Sequence, residues 1–310
     1  MTTFNLEAFK GIIVAMYACY DEQGEIHPEG VKQLVRHYIR KGVKGLYVGG
    51  SSGEGMLQTT EERKLVLESV MEAAGEELTI IAHVGAPSTR ESVELAKHAE
   101  SVGAHAISAV PSIYYRLSPD SVENHWQAMI DSTSLPFIIY HIPQTTGFQL
   151  SKSLLSKMAK QDKVIGVKIS SESTYELQQF KEAGGEHFLV LNGPDEQYLA
   201  GRSIGADGGI GGTYGVMPEL FLKIEDCFQK GQMEEARAWQ YRVNEIINEL
   251  LSYPSLYGAC KSILRLQGVD CGEARKPLLP VETGDLHRIS LLANKIDQYT
   301  EQATGSALKA

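Results

Sequence analysis

Residues 136–170 hold two apolar runs, PFIIYHI from Pro136 and VIGVKIS from Val164, separated by an amphipathic stretch over 151–160. Each run has strand length and is apolar nearly throughout, as a strand buried on both faces requires. The stretch between them has helical period. Strand, helix, strand in this order predicts parallel strands joined by a crossover. The unit repeats in both directions. Upstream stand IIVAM from Ile12, GLYVGG from Gly45, TIIAHVG from Thr79 and AISAV from Ala106; downstream stand HFLVLNG from His187 and ADGGIGG from Ala206. Helical patterns over 28–41, 60–74, 88–102, 118–130 and 173–183 separate them. Glu61 and Glu62 fall in a first turn, where acids suit the helix dipole, and Ser88 with Glu91 has the spacing of a capping box.

Eight such strands at near-regular spacing predict an α/β fold, the closed (β/α)8 TIM barrel, in preference to an open doubly wound sheet. No G-x-G-x-x-G follows the first strand, which argues against a dinucleotide-binding fold. The last two strands are close together, so the helix between them is short. Past residue 216 the pattern is helical throughout, with helices expected over 218–230, 233–251, 255–266 and 284–302 and no linker rich in Pro, Gly or Ser. The expected organisation is a catalytic barrel core over 1–216 and a C-terminal helical extension over 217–310 packed on it.

The chain has 310 residues, 43% hydrophobic and 22% charged, the composition of a soluble globular protein with ample core. A net charge of −10 with no basic cluster argues against nucleic acid as a partner. An anionic substrate must then be held by local donors. Cys19, Cys227, Cys260 and Cys271 form no CxxC pair and have no His at ligand spacing, so reduced structural thiols and no metal site are expected. The opening MTTFNLEAFK has no signal-peptide pattern and no apolar run reaches membrane-spanning length, so a cytoplasmic protein without a membrane partner is expected.

In such barrels the reactive groups sit at the C-terminal ends of the strands and in the loops after them. Strand two runs into Gly49-Gly50-Ser51-Ser52-Gly53-Glu54, whose glycines permit a tight turn and whose hydroxyls and amides suit a carboxylate or phosphate. An ordinary glycine-rich loop reads the same way. Strand five ends at Tyr140, a proton shuttle or a packing tyrosine. Strand six contains Lys168. An ammonium inside an apolar strand is costly, so it pairs with an acid, snorkels, or serves as the neutral amine that attacks a carbonyl. Asp195 and Glu196 after strand seven either cap the next helix or accept hydrogen bonds from a hydroxylated substrate. The loop after strand eight, Gly208 to Gly212, reads as a phosphate site. All these candidates fall on one face of the expected barrel.

The motifs GLYVGGSSGE, IAHVG, YHIP, GVKIS and GADGGIGGTY resemble those of the N-acetylneuraminate lyase and dihydrodipicolinate synthase superfamily of pyruvate-dependent aldolases, from about Gly11 to the C-terminal helices. GLYVGGSSGEG at Gly45, AISAV and IYYRLS after Ala106, and NGPDEQ at Asn192 are most similar to the sialic acid lyase branch. The resemblance implies a class I aldolase that cleaves N-acetylneuraminate to N-acetylmannosamine and pyruvate. It implies Lys168 as the Schiff-base nucleophile and Tyr140 as proton relay. Ser51 and Ser52 would hold the substrate carboxylate, with Ser170, Gly193, Asp195, Glu196 and Gly212 around the rest. It implies no cofactor beyond the imine, a small 2-keto acid as partner, and a homotetramer in which Tyr114 reaches a neighbouring subunit's site. His141, Ser170 and Gly212 depart from the branch, which often has Asn, Thr and Ser there.

Dihydrodipicolinate synthase, or another 2-keto acid aldolase or dehydratase, is the alternative. That synthase normally carries an Arg two residues after the strand-five proline, whereas Pro143 is followed by Gln144 and Thr145. A barrel that only binds a keto acid, or a phosphate-binding isomerase using Gly208 to Gly212, needs neither the lysine nor its neighbours.

Overall fold

The structure, a computed structural model, describes residues 4–305. All eight expected strands are present and close into a parallel barrel in chain order. They are β1 (Gly11–Ala15), β2 (Gly45–Val48), β3 (Thr79–His83), β4 (Ala106–Ala109), β5 (Phe137–His141), β6 (Val164–Ile169), β7 (Leu189–Asn192) and β8 (Gly208–Gly211). The intervening helices are α1 (Pro28–Arg40), α2 (Thr60–Ala74), α3 (Thr89–Ser101), α4 (Pro119–Ser132), the single turn α5 (Pro143–Thr146), α6 (Lys152–Met158), α7 (Thr174–Gly184) and the short α8 (Tyr198–Ser203). The barrel is a TIM barrel.

Side chains alternate along each strand. Ile13, Tyr47, Ile81, Ile138, Tyr140 and Leu191 fill the interior, and Phe9 joins them from the turn before β1. Val14, Leu46, Ile80, Ile107, Val167 and Ile169 face outward beneath the helices. The closure between β8 and β1 depends on glycine: a Cβ on Gly208 would lie 2.3 Å from the Gly11 carbonyl oxygen.

One strand breaks the alternation. Phe137 faces Val164, but the next residue, Ile138, faces Gly166, so β6 carries one extra residue against β5. Ile165 points into the barrel, and after the bulge Lys168 does so too, while Val167 points out. Without the extra residue Lys168 would face the helices. Gly166 makes the bulge possible: a Cβ there would lie 2.7 Å from the Leu189 carbonyl oxygen.

The expected capping box of α3 forms only by half. Ser88 accepts from the Glu91 amide at 3.2 Å, but the Glu91 carboxylate accepts from the Thr60 hydroxyl of α2 at 3.0 Å instead. The full box sits on α2, between Thr59 and Glu62.

The C-terminal part comprises α9 (Pro218–Gln229), α10 (Met233–Leu250), α11 (Leu256–Leu266) and α12 (Leu286–Thr304). Arg202 of α8 binds Glu225 of α9 through two 2.8 Å hydrogen bonds, which ties α9 to the barrel wall. Residues 267–282, between the helices expected over 255–266 and 284–302, form no regular element and run back over the β1 and β2 loops; Tyr20 N donates to Cys271 O at 3.0 Å. All four cysteines are free and buried. Among the described residues no helix is long and apolar enough to cross a membrane.

Candidate functional site

Tyr140 and Lys168 are register partners on β5 and β6, so their side chains enter the barrel side by side. Lys168 is 5% exposed, and among the described residues no carboxylate forms an ion pair with it. Its Nζ lies 4.1 Å from the centre of the Tyr140 ring and 4.8 Å from that of Tyr47. The two rings meet edge to face at 5.8 Å. Two aromatic faces thus hold the lysine head group in place of a carboxylate counter-ion.

The two tyrosines differ in acidity. Burial pushes the Tyr47 hydroxyl well above its usual range, and it bonds to the Ser108 hydroxyl at 3.0 Å. Burial is also the largest single effect on Tyr140. There, however, the Lys168 charge and hydrogen bonds from Ser51, Lys168 and Ser170 together outweigh it, and the phenol is shifted below its usual value. Tyr140 thus links Lys168 to both Ser51 and Ser170.

The turn after β2 is shaped by its backbone. Gly49 has φ +74°, and Glu54 has φ 54°, unusual for a residue with a side chain. Glu54 N donates to Ser51 O at 3.0 Å and Gly55 N to Gly50 O at 3.1 Å. The amides of Ser51, Ser52 and Gly53 make no backbone hydrogen bond among the described residues. Ser51 is exposed and Ser52 buried. The turn is braced from below by His83, whose Nε2 accepts from Val110 N at 3.3 Å and whose Nδ1 faces the Gly49 carbonyl at 3.1 Å. This pairing puts the ring proton on Nδ1. Burial, with Arg63 beside it, holds His83 far below its usual pKa and hence neutral.

Asp195 does not cap a helix. Its Oδ2 accepts from the Thr213 amide at 2.7 Å and the Thr213 hydroxyl at 2.6 Å, bridging the β7 and β8 loops. Its Oδ1 is buried without a hydrogen-bond partner, and burial raises its pKa to about 6. Glu196 beside it is exposed. Gly193 lacks a side chain because Ser170 Oγ occupies that place, 2.2 Å from where a Cβ would stand. Gly212 adjoins Ser52 in the same way, 2.6 Å from its Oγ. The structure therefore brings Lys168, Tyr140, Ser51, Ser52, Ser170, Gly193, Asp195 and Gly212 to one end of the barrel.

One reading changes. Gly208 to Gly211 form β8 itself, packed against Gly11, Tyr198, Tyr214 and Asp195, and the Thr213 amide is taken by a carboxylate. Those glycines serve close strand packing, not a phosphate. Tyr114 lies outside the cluster: it is 89% exposed, has φ 80°, and stacks edge-on to Tyr115 at 5.2 Å. His141 also lies outside, facing Glu176 and the Phe180 ring of α7.

Sequence reasoning missed Tyr47, His83, Tyr17, Thr213 and Tyr257. Tyr17 donates to the Gly212 carbonyl at 2.5 Å. Tyr257 of α11 feels the charges of Tyr140 and Asp195 after the larger effect of burial, all raising its pKa. Strand parity alone could have found Tyr47, which lies one residue before Val48 in the quoted GLYVGG; nothing local marks Tyr257.

The model of the Dihydrodipicolinate synthetase family matches residues 8–295. The N-acetylneuraminate lyase of Mediterraneibacter gnavus is 47% identical over 300 residues, covering 95% of each chain. That of Rhizobium meliloti is 38% identical over 278 residues, covering 89% of this chain and 92% of its own. A solved structure described as a catalytic lysine mutant of Ruminococcus gnavus sialic acid aldolase superposes with a TM-score of 0.95 at 45% identity, covering 97% of this chain and 99% of its own. With the family model spanning nearly the whole barrel and these identities along most of its length, the chain belongs to the dihydrodipicolinate synthetase family.

Proposed function

We propose that the protein is a class I aldolase, a carbon–carbon lyase that cleaves N-acetylneuraminate to N-acetylmannosamine and pyruvate. The observation that carries this reading is Lys168: a buried amine without a carboxylate partner, in register with a tyrosine of lowered pKa. The names of the relatives and the catalytic lysine of the solved one support the substrate.

In this reading the neutral Lys168 amine adds to the C2 ketone of the open-chain sugar acid, and loss of water leaves a protonated imine. The Ser51–Ser52 turn holds the C1 carboxylate through free amides and hydroxyls. The C4 hydroxyl gives up its proton toward Tyr140 and the substrate carboxylate. The C3–C4 electron pair then moves into the imine, releasing N-acetylmannosamine and leaving an enamine. Protonation at C3 and hydrolysis by one water return pyruvate and free Lys168. The imine supplies the electron sink, so the step uses no further cofactor. Gly193, Asp195, Glu196 and Gly212, with Ser170, line the space for the hydroxylated tail.

The catalytic residues come from the barrel core over 1–216, on which the extension over 217–310 packs. The working form is a cytoplasmic homotetramer, in which the exposed Tyr114 completes a neighbouring subunit's site. The alternative, condensation of pyruvate with aspartate semialdehyde, needs a cation that the turn α5 does not carry; Gln144 there bonds to Glu172 at 3.2 Å.

Borohydride with pyruvate is expected to inactivate the protein and add mass at Lys168; trapping that persists in Lys168→Ala would overturn the nucleophile. Pyruvate release from N-acetylneuraminate is expected, and turnover only of aspartate semialdehyde would overturn the substrate.

A further inference from the structure

Ser51 and Ser52 depend on a part of the chain far from them in sequence. Their turn closes on Glu54, which donates its amide to Ser51 O at 3.0 Å. Glu54 holds a left-handed backbone conformation, φ 54°, which is strained for a residue with a Cβ and persists only where its surroundings hold it. The side chain shows what holds it. The Glu54 carboxylate is 0% exposed and pairs at 2.6 Å with the Lys261 ammonium of α11, itself 1% exposed. The other oxygen, Oε2, accepts from the Arg275 amide at 2.6 Å. Lys261 also donates to Glu273 O at 3.1 Å and lies 4.4 Å from the centre of the Tyr20 ring.

A second tie runs parallel. Arg275 binds Glu62 through both of its terminal nitrogens, and donates to the Leu57 carbonyl at 3.0 Å. Its guanidinium also lies over the Tyr20 ring, 4.4 Å from the ring centre. The segment from Gly49 to Glu62 is thus held on its outer side by two cations of the C-terminal part, and presents its serines on the inner side. There is no slack within the turn: a Cβ on Gly55 would lie 2.0 Å from the Gly49 carbonyl oxygen. The 3.0 Å bond from the Glu54 amide to Ser51 O joins Glu54 directly to the serine turn.

We propose that the buried Glu54–Lys261 pair is a positioning device: helix α11 sets the geometry of the Ser51–Ser52 turn and through it the affinity for the carboxylate of the keto acid. A buried ion pair is poorly explained as a source of stability, because desolvation of the two charges offsets their attraction. What a hydrophobic pair of equal volume would lack is the carboxylate itself, anchored by the Lys261 charge on one oxygen and oriented by the Arg275 amide on the other. The proposal rests on the reading of Lys168 as the imine-forming residue.

The test compares two ketones that differ only in the group the turn would hold, pyruvate and pyruvamide, each trapped at Lys168 by cyanoborohydride. Glu54→Gln keeps the shape and removes the charge. It is expected to raise the pyruvate concentration for half-maximal trapping about tenfold, the loss of roughly one charge-assisted hydrogen bond, and that for pyruvamide by less than about twofold. Equal rises for both ketones would show general loosening and overturn the proposal. So would a pyruvate value within about twofold of the unaltered protein's, too small for one such bond. If Glu54→Gln does not fold, the double variant Glu54→Gln/Lys261→Met, which leaves no buried charge, is compared in the same way. A double variant that also fails to fold makes the pair a determinant of folding and overturns its positioning role. Absence of trapping in the unaltered protein sinks the proposed function itself; trapping there with an unchanged preference in the variant sinks only this inference.

Discussion

Tyr140 and Lys168 face each other across β5 and β6, with the Lys168 Nζ 4.1 Å from the centre of the Tyr140 ring. Each makes the other usable. The ring shields the amine without competing for it, and the amine draws the phenol below its usual pKa against the opposing effect of burial. Removing the cation leaves burial as the main influence, so Lys168→Met is expected to raise the pH at which Tyr140 ionises. Tyrosinate absorbance followed against a Tyr140→Phe control measures this among the 14 tyrosines of the chain. A titration identical in Lys168→Met would remove the electrostatic link.

Tyr140→Phe is expected to lower kcat for sialic acid cleavage about a thousandfold, the scale of a lost proton relay. Pyruvate should still be trapped at Lys168, because the amine remains. Loss of trapping together with turnover would assign Tyr140 to imine formation.

The bulge at Gly166 turns Lys168 inward, and the site of its missing Cβ is 2.7 Å from Leu189 O and 2.8 Å from Leu189 Cβ. Gly166→Ala is expected to cost about 2 kcal/mol through overpacking, seen as a lower Tm. It should also slow trapping at Lys168 about a hundredfold through misplacement of the amine. A variant with lowered Tm and normal trapping would separate the bulge from catalysis.

Asp195 has its pKa raised by burial, from 3.8 to about 6. The folded state therefore binds a proton over this range that the unfolded state does not. The stability contribution of this group falls as pH rises from about 4 to about 6, and improves as pH falls through the same window. Asp195→Asn is expected to flatten the pH dependence of Tm there. The acid limb of kcat/KM near pH 6 should move as well if Asp195 must be ionised to accept from the sugar. An unchanged limb would exclude it from substrate contact.

A side chain at position 212 would meet Ser52 Oγ at 2.6 Å. Since that atom ends a short rotatable side chain, Gly212→Ser should fold normally. The displaced Ser52 hydroxyl is expected to raise the half-trapping concentration of pyruvate about tenfold, one hydrogen bond's worth. An unchanged value would show that Ser52 Oγ does not touch the carboxylate.

Much of this was legible in the chain. Buried parallel strands need continuous apolar runs, so IIVAM through ADGGIGG announced the barrel, and strand-end placement gathered Ser51, Ser52, Tyr140, Lys168 and Asp195 onto one face. Linear order sufficed there because neighbouring strands in the chain are neighbours in the sheet. The rest arose from contacts between distant segments. The bulge that aims Lys168 exists only against β5. Tyr47 and His83 acquire roles only through what they touch across the interior. In the sequence Glu54 merely ends a glycine-rich loop; the fold puts Lys261, more than two hundred residues later, beside it at 2.6 Å. Local composition sets which segments are strands and helices, because periodicity is a property of consecutive residues. Which buried charge meets which partner depends on three-dimensional packing, and no local pattern encodes it.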